Sequence, residues 1–153
     1  MKKLLLLGVI GLLAYTQKEK NVYPQLDDFM DEWHKAATDA NFEKYFGAMH
    51  ADFNFLGTAP GEKWDKAAFA AFSKPYFDKG KAWDFTASNR QWYGDTTSGI
   101  VWFDEDLDTW MEDCRGSGVM QKIEGEWKLS YYNLTVLIEN EKIKEFIALR
   151  KAE

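Results

Sequence analysis

The sequence predicts an α+β protein in which helices precede a run of long antiparallel strands. Two observations lead to this prediction. Apolar residues recur every three or four positions in the first part of the chain, and β-branched and aromatic residues cluster within residues 99–138. A glycine within residues 124–126 separates two of these clusters, which indicates a hairpin.

The first helix is predicted over residues 24–39. Its apolar side chains follow a helical spacing, with Leu26, Phe29, Met30, Trp33 and Ala37 on one face. Asn41 is expected to cap a second, shorter helix, and Asp65 a third helix that Pro75 should interrupt. A terminal helix is predicted to start at Asn140.

Strands are predicted over five segments, namely residues 52–56, 83–93, 99–105, 116–123 and 127–138. Both faces of the last strand carry apolar groups. Helices should therefore cover one face, and a loop, a ligand or a second subunit should cover the other. The acidic segment that follows Glu105 is expected to form a solvated hairpin loop. Asp104 and Glu105 lie inside a strand and should point to opposite faces.

The chain of 153 residues has the size of one domain. Lys2 and Lys3 followed by an apolar run over residues 4–14 are typical of an export signal. Residues 1–20 are thus predicted to be a signal and polar tether, and residues 21–153 a single domain. The end of the apolar run resembles a bacterial lipoprotein signal, but Tyr15 stands in place of the lipid-acceptor cysteine. We expect a periplasmic or secreted protein that contacts a membrane only through this segment, if it is retained.

Composition argues against several classes of function. The net charge of −6 disfavours nucleic-acid binding. Cys114 is the only cysteine, so no internal disulfide can form. Residues 104–113 open like a calcium loop, but Thr109 and Arg115 stand where an EF-hand needs glycine and glutamate. The chain has no GxSxG, P-loop or HExxH motif. No metal site and no cofactor are predicted.

Five short segments carry a resemblance to a known family: FLGT (55–58), KPYFDKG (74–80), VWFDE (101–105), RGSGVM (115–120) and WKLSYYNL (127–134). In this order they resemble the SnoaL-like branch of the nuclear transport factor 2-like superfamily over residues 26–140. The resemblance implies a cone-shaped, strongly curved antiparallel sheet wrapped around N-terminal helices, the cystatin-like α+β roll. It also implies a homodimer that pairs through the outer face of the sheet.

The resemblance leaves the function open, because this superfamily contains isomerases, dehydratases, cyclases, epoxide hydrolases and proteins that only bind partners. The expected function is that of an exported domain binding a small, largely apolar molecule or a partner protein in or on its cone. The alternative is a cofactor-independent isomerase, dehydratase or cyclase that acts by acid/base proton transfer in an apolar pocket.

The catalytic candidates are His50, Asp52, Asp104 and Glu105. Pocket entrances in enzymes of the superfamily can hold an acid or base near the position of His50, and Asp52 could orient the imidazole. The alternative for His50 is a favourable charge at a helix end. Either Asp104 or Glu105 is expected to enter the cone.

The ligand-binding candidates are Trp33, Trp102, Arg115, Tyr131 and Asn133. If their face of the sheet is the concave one, Tyr131 and Asn133 would offer hydrogen bonds to a ligand. Arg115 would then form an internal ion pair with Asp104 or Glu105, or clamp an anionic ligand. His34, on the flank of the first helix, is expected to have a surface or packing role.

Overall fold

The computed structural model describes residues 23–152, so the predicted export signal and tether, residues 1–20, lie outside the described residues. This part of the chain contains four α-helices: α1 (Pro24–Thr38), α2 (Phe42–Gly47), α3 (Lys66–Asp78) and α4 (Ile143–Lys151). Two short 3-10 turns cover Thr96–Ser98 and Asn140–Lys142. None of the described helices is long and apolar enough to cross a membrane.

Helices α2 and α3 begin directly after the predicted capping residues. Asn41 Oδ1 accepts a hydrogen bond from the backbone N–H of Lys44 at 3.0 Å, and Asp65 Oδ1 accepts one from Ala68 at 2.8 Å. The expectation that Pro75 interrupts α3 was wrong, because the helix continues through this residue to Asp78. Proline removes one hydrogen-bond donor, and here the loss falls in the last turn of the helix, on an exposed face.

Six strands form one curved open sheet in the order β2-β1-β6-β5-β4-β3. Their bounds are β1 (Met49–Leu56), β2 (Lys63–Asp65), β3 (Thr86–Asp95), β4 (Ile100–Thr109), β5 (Glu112–Ile123) and β6 (Glu126–Val136). All neighbours pair antiparallel except β1 and β6, which are parallel. The curved sheet and the preceding helices confirm the predicted α+β class, while the short β2 was not predicted.

The acidic segment is strand rather than the predicted solvated loop. β4 continues to Thr109 and β5 begins at Glu112, so only two residues form the turn. The reason is a strict alternation: Val101, Phe103, Glu105 and Leu107 are all buried, while the carboxylates between them point to the opposite side. Asp104 and Glu105 therefore do lie on opposite faces, as predicted.

This alternation defines two faces of the sheet. The inner face carries the buried side chains of Phe53, Val101, Phe103, Leu107, Met120, Leu129 and Tyr132, which share one core with α1 and α2. The outer face carries Tyr93, Trp102, Asp104, Arg115, Tyr131 and Asn133, and Trp102 on it is 51% exposed. The homodimer predicted through this outer face stays a prediction.

A bulge in β6 decides which of its residues face inward. Val119 lies opposite Tyr131, but the next residue, Met120, lies opposite Leu129, so Ser130 is the extra residue. The bulge shifts the parity of the strand by one. Leu129 and Tyr132 consequently both point to the core, although simple alternation would place them on opposite faces.

Gly118 gives a test of the packing on the inner face. A Cβ at this position would lie 2.6 Å from Phe103 Cε1 and 2.9 Å from the backbone oxygen of Tyr131. In most strands Gly→Ala stabilises, but overpacking here should cost about 1–3 kcal/mol. We expect Gly118→Ala to lower the urea midpoint of unfolding. Ser117→Ala, on the neighbouring position of the outer face, is the control, and an unchanged midpoint for Gly118→Ala would contradict the packing.

Candidate functional site

A cavity of about 340 Å³ lies between the inner face and helices α1 to α3. This volume is near the lower end of the roughly 300–1,000 Å³ that small-molecule sites occupy. Most of its wall is aromatic, and its buried or half-buried rings include Trp33, Tyr45, Phe55, Phe69, Trp83 and Tyr132. Because these rings come from three helices, two strands and a loop, the cavity depends on the whole tertiary structure.

The rings of the wall stack on each other. Trp33 and Tyr45 are nearly parallel, with ring centroids 4.7 Å apart and an interplanar angle of 12°. Phe55 and Phe69 stack at 4.1 Å and 11°. At the mouth the aromatic rings become accessible, and Trp110 in the β4–β5 turn is 81% exposed. The cavity thus offers flat apolar walls inside and further aromatic surface at its opening.

The cavity has few polar groups and little charge. Among the described residues that line it there is no lysine or arginine, and Glu62 is the only carboxylate. Glu62 lies near the mouth, where its Oε2 accepts a hydrogen bond from the backbone N–H of Ala59 at 2.9 Å. His34 is the only lining histidine in the described chain. An anionic ligand would therefore meet no full positive charge in the wall unless His34 is protonated.

Behind His34 and Tyr132 lies a buried carboxylate, Glu105, whose side chain is fully enclosed. His34 Nε2 donates to Glu105 Oε1 at 2.8 Å, and the Tyr132 hydroxyl donates to the same oxygen at 2.7 Å. Arg90 Nε donates to Oε2 at 2.7 Å. Since an ionised carboxylate only accepts hydrogen bonds, the Nε2 atom of His34 carries a proton in this arrangement.

Arg90 connects this carboxylate to the protein surface. Its Nη1 donates to the backbone oxygen of Asp27 at 3.1 Å, and its Nη2 donates to Asp31 Oδ1 at 2.8 Å. Trp92 Nε1 donates to Asp27 Oδ1 at 2.7 Å. The guanidinium group is thereby held between the first helix and the sheet, with each of its three nitrogens hydrogen-bonded.

Opposing influences act on the pKa of Glu105. Burial alone would raise it, but the charge and hydrogen bond offered by His34, the charge of Arg90 and the Tyr132 hydroxyl outweigh burial and hold the pKa at about 2. Burial and the adjacent Glu105 charge raise the pKa of Tyr132 well above its usual value. Burial likewise raises the pKa of Tyr45. Glu105 is accordingly ionised and both tyrosines are neutral at physiological pH.

A glycine in β5 makes room for this network. Gly116 lies directly between Glu105 on β4 and Leu134 on β6. A Cβ at Gly116 would overlap the Tyr132 hydroxyl and lie 3.0 Å from Glu105 Cγ. Without a side chain at this position, the hydroxyl of Tyr132 can reach across β5 to the carboxylate.

Two of the predicted site residues lie at this site. Glu105 is the central carboxylate, and Trp33 lines the cavity. The other sheet candidates are on the outer face: Asp104, Trp102, Arg115, Tyr131 and Asn133. The expected ion pair of Arg115 with Asp104 or Glu105 was wrong, because Arg115 is exposed on the outer face and Arg90 pairs with Glu105 instead. Asp104 accepts a hydrogen bond from the Tyr93 hydroxyl at 2.7 Å.

His50 and Asp52 lie next to each other, as predicted, but in a shallow depression on the outer face with Val119 and Tyr131. His50 Nδ1 accepts a hydrogen bond from the backbone N–H of Asp52 at 3.0 Å, and the Asp52 side chain is 92% exposed. The structure does not bring this pair together with Glu105. A catalytic role for His50 and Asp52 stays a prediction and would require a site on the outer face.

Sequence reasoning missed the partners of the carboxylate. His34 was expected on the surface or in a packing role, and neither Arg90 nor Tyr132 was a candidate. One signal was available: Glu105 occupies an inward position in the alternation from Val101 to Leu107, and a buried carboxylate needs donors. The chain contains only two histidines, so His34 was a natural candidate donor.

The curved sheet wrapped around an N-terminal helix, with a cavity on its inner face, defines the structural class. A model of the SnoaL-like domain matches residues 26–139, which is most of the chain. The chain therefore belongs to the SnoaL-like domain family, which confirms the family resemblance seen in the sequence. Its fold is that of NTF2-like proteins. A comparison with curated proteins finds no match.

Solved structures support the fold. An NTF2-like protein from Cytophaga hutchinsonii is 19% identical, with a TM-score of 0.63 over 77% of this chain and 100% of that one. An NTF2-like protein of unknown function from Pseudomonas putida is 11% identical, with a TM-score of 0.61 over 78% and 89%. A proposed scytalone dehydratase from Novosphingobium aromaticivorans is 11% identical, with a TM-score of 0.60 over 74% and 82%. At these identities the likeness establishes the fold alone.

The low pKa of Glu105 predicts how stability depends on pH. Because the folded pKa lies below the usual 4.5, the unfolded state binds the proton more tightly, and this contribution is lost as pH falls from about 5 towards 2. We expect Glu105→Gln to destabilise the protein by about 3–5 kcal/mol at pH 7, since Arg90 then loses its buried partner. Urea unfolding of both proteins between pH 7 and 3 measures these effects.

The difference in unfolding free energy between wild type and Glu105→Gln should shrink as the pH falls. Asp104→Asn, a neighbouring carboxylate on the outer face, is the control and should show a much smaller difference. A Glu105→Gln difference that is constant over this pH range would show that the carboxylate is not held ionised by its partners.

Proposed function

We propose that this protein binds a small, largely apolar molecule in the cavity on the inner face of its sheet. The observation that carries the proposal is the aromatic wall, because the core of a domain of this size could be filled by its own side chains but here encloses about 340 Å³. The stacked pairs Trp33–Tyr45 and Phe55–Phe69 offer flat surfaces that suit rings or planar chains.

Ala82 provides a direct test of binding. It lines the cavity and is half-buried, so Ala82→Trp should fill part of the space that a ligand needs. We expect the uncharged apolar dye Nile red to bind wild type saturably and to bind Ala82→Trp at least about tenfold more weakly. A fluorescence titration measures both affinities.

Ala71→Trp is the matched control, because Ala71 is exposed on α3 and does not line the cavity. This variant should bind the dye like wild type. Equal binding by all three proteins would place the dye elsewhere, for example on the exposed aromatic side chains of the outer face, and would contradict the proposal.

A second candidate function is acid/base proton transfer on a ligand in the same cavity, and the position of His34 favours it. Its Nε2 is held by Glu105, which leaves Nδ1 as the nitrogen that can exchange a proton. His34 lines the cavity and also a shallow groove at the surface with Asp31 and Lys35. A proton taken from a ligand could therefore leave to solvent. One relative in fold is a proposed dehydratase of the NTF2-like family from Streptomyces avermitilis.

Proton transfer can be tested with 2-acetylnaphthalene in D₂O. His34 would remove a proton from the methyl carbon next to the carbonyl, the electron pair would move to the carbonyl oxygen, and a deuteron would return to carbon. We expect wild type to exchange these protons at least about 100-fold faster than His34→Gln, as is typical of general acid/base catalysis. NMR of the methyl signal measures the rate.

His50→Gln is the control for this experiment, since His50 lies on the outer face. It should exchange the methyl protons at the rate of wild type. Exchange no faster than in buffer would exclude this reaction while leaving ligand binding intact, and equal loss in both variants would show that His34 is not the specific base.

A further inference from the structure

Two buried hydrogen-bond donors in the cavity wall are without acceptors, and they limit the ligands that the cavity can take. The hydroxyl of Tyr45 accepts a hydrogen bond from Trp83 Nε1 at 3.2 Å. Within residues 23–152 this is its only hydrogen bond, so its own proton is not donated. Trp33 Nε1 is buried and has no hydrogen-bond partner in the same part of the chain.

These two donors lie on the same wall. Trp33 and Tyr45 stack face to face, Trp33 is 3% exposed and Tyr45 is 1% exposed. A buried N–H or O–H that lacks an acceptor costs free energy, so proteins rarely retain one without a reason. Burial also raises the pKa of Tyr45, so this hydroxyl keeps its proton and can only be satisfied further by an acceptor.

The charge of the wall further limits the class of ligand that the cavity can bind. The lining that the structure describes contains Glu62 but neither lysine nor arginine, and the chain as a whole carries a net charge of −6. A carboxylate or phosphate would lose its hydration without gaining a fixed cationic partner. A cationic ligand would find aromatic faces, but it would leave the donors of Tyr45 and Trp33 without an acceptor.

The opening of the cavity adds a preference for a planar, extended ligand. Phe72, Tyr76 and Trp110 line the mouth and are 41%, 43% and 81% exposed. Trp64 and Phe72 stack with ring centroids 4.7 Å apart, which extends the flat surface outward from the wall. A planar ligand can lie against these rings from the interior to the mouth.

From these contacts we infer that the ligand is an uncharged planar aromatic compound carrying an acceptor oxygen, and that the Tyr45 hydroxyl donates to this oxygen. The inference rests on the proposed function, because it names the chemical class of ligand for the same cavity. It assigns to Tyr45 a role in selecting the ligand, and to the lack of basic side chains in the wall a role in excluding anions.

Four naphthalene compounds of similar shape test the inference. 2-Acetylnaphthalene is uncharged and has an acceptor, 2-ethylnaphthalene is uncharged without an acceptor, 2-naphthoate is anionic and 2-naphthylmethylammonium is cationic. Their affinities for the full chain are measured by calorimetry at pH 7. We expect 2-acetylnaphthalene to bind about three- to tenfold more tightly than 2-ethylnaphthalene, and the two ions to bind more weakly than either.

Tyr45→Phe removes the hydroxyl and keeps the ring. It should weaken binding of 2-acetylnaphthalene about three- to tenfold and leave binding of 2-ethylnaphthalene unchanged. Tyr93→Phe is the matched control, because it removes the same hydroxyl from the outer face, where Tyr93 is exposed and does not line the cavity. It should change neither affinity, and the urea midpoint of each variant reports whether it is folded.

Each of the other possible outcomes would contradict a specific part of this inference. Equal affinity of wild type for the acetyl and ethyl compounds would overturn the role of an acceptor oxygen, whether or not Tyr45→Phe folds. If Tyr45→Phe lost affinity for both compounds equally, Tyr45 would shape the cavity rather than donate a hydrogen bond to the ligand. Tighter binding of either ion would overturn the selection by charge. If none of the four compounds binds while Nile red still binds in the cavity, this inference fails and the proposed function stands. If Nile red does not bind there either, both fail.

Discussion

The structure depends on one interaction, the burial of an ionised carboxylate at Glu105. Its three donors come from different elements: His34 from α1, Arg90 from β3 and Tyr132 from β6. An unpaired charge in the core would cost far more free energy than a small domain has to spare. The position of α1 against the sheet is therefore tied to hydrogen-bond geometry as well as to apolar packing.

Much of the fold could be predicted from the sequence, because its signals are local. The apolar spacing from Leu26 to Ala37 and the capping residues Asn41 and Asp65 depend only on neighbours within a few positions. The same is true of the hairpin at residues 124–125, where both backbones adopt positive φ and a glycine occupies the second position. The family resemblance supplied the curvature, which no local pattern specifies.

The site could be predicted only in part, because its partners are distant in sequence. His34 and Glu105 are 71 residues apart, and Tyr132 and Glu105 are 27 apart. The face on which Tyr132 lies depends on the bulge at Ser130, which is a property of the pairing with β5 rather than of β6 alone. Arg115 and Arg90 both lie in strands, and the register of each strand decides which of them can reach Glu105. The alternation of β4, by contrast, was visible in the sequence.

Glu105 and His34 have different chemical roles at the site. Both oxygens of Glu105 already accept hydrogen bonds, and the resulting low pKa makes it a poor proton acceptor. Glu105 is also separated from the cavity by His34 and Tyr132, which line it. Of these two groups, His34 is therefore the one placed to exchange a proton with a bound molecule, with Glu105 fixing its orientation. The aromatic wall has no such requirement, so ligand binding does not depend on proton transfer by His34.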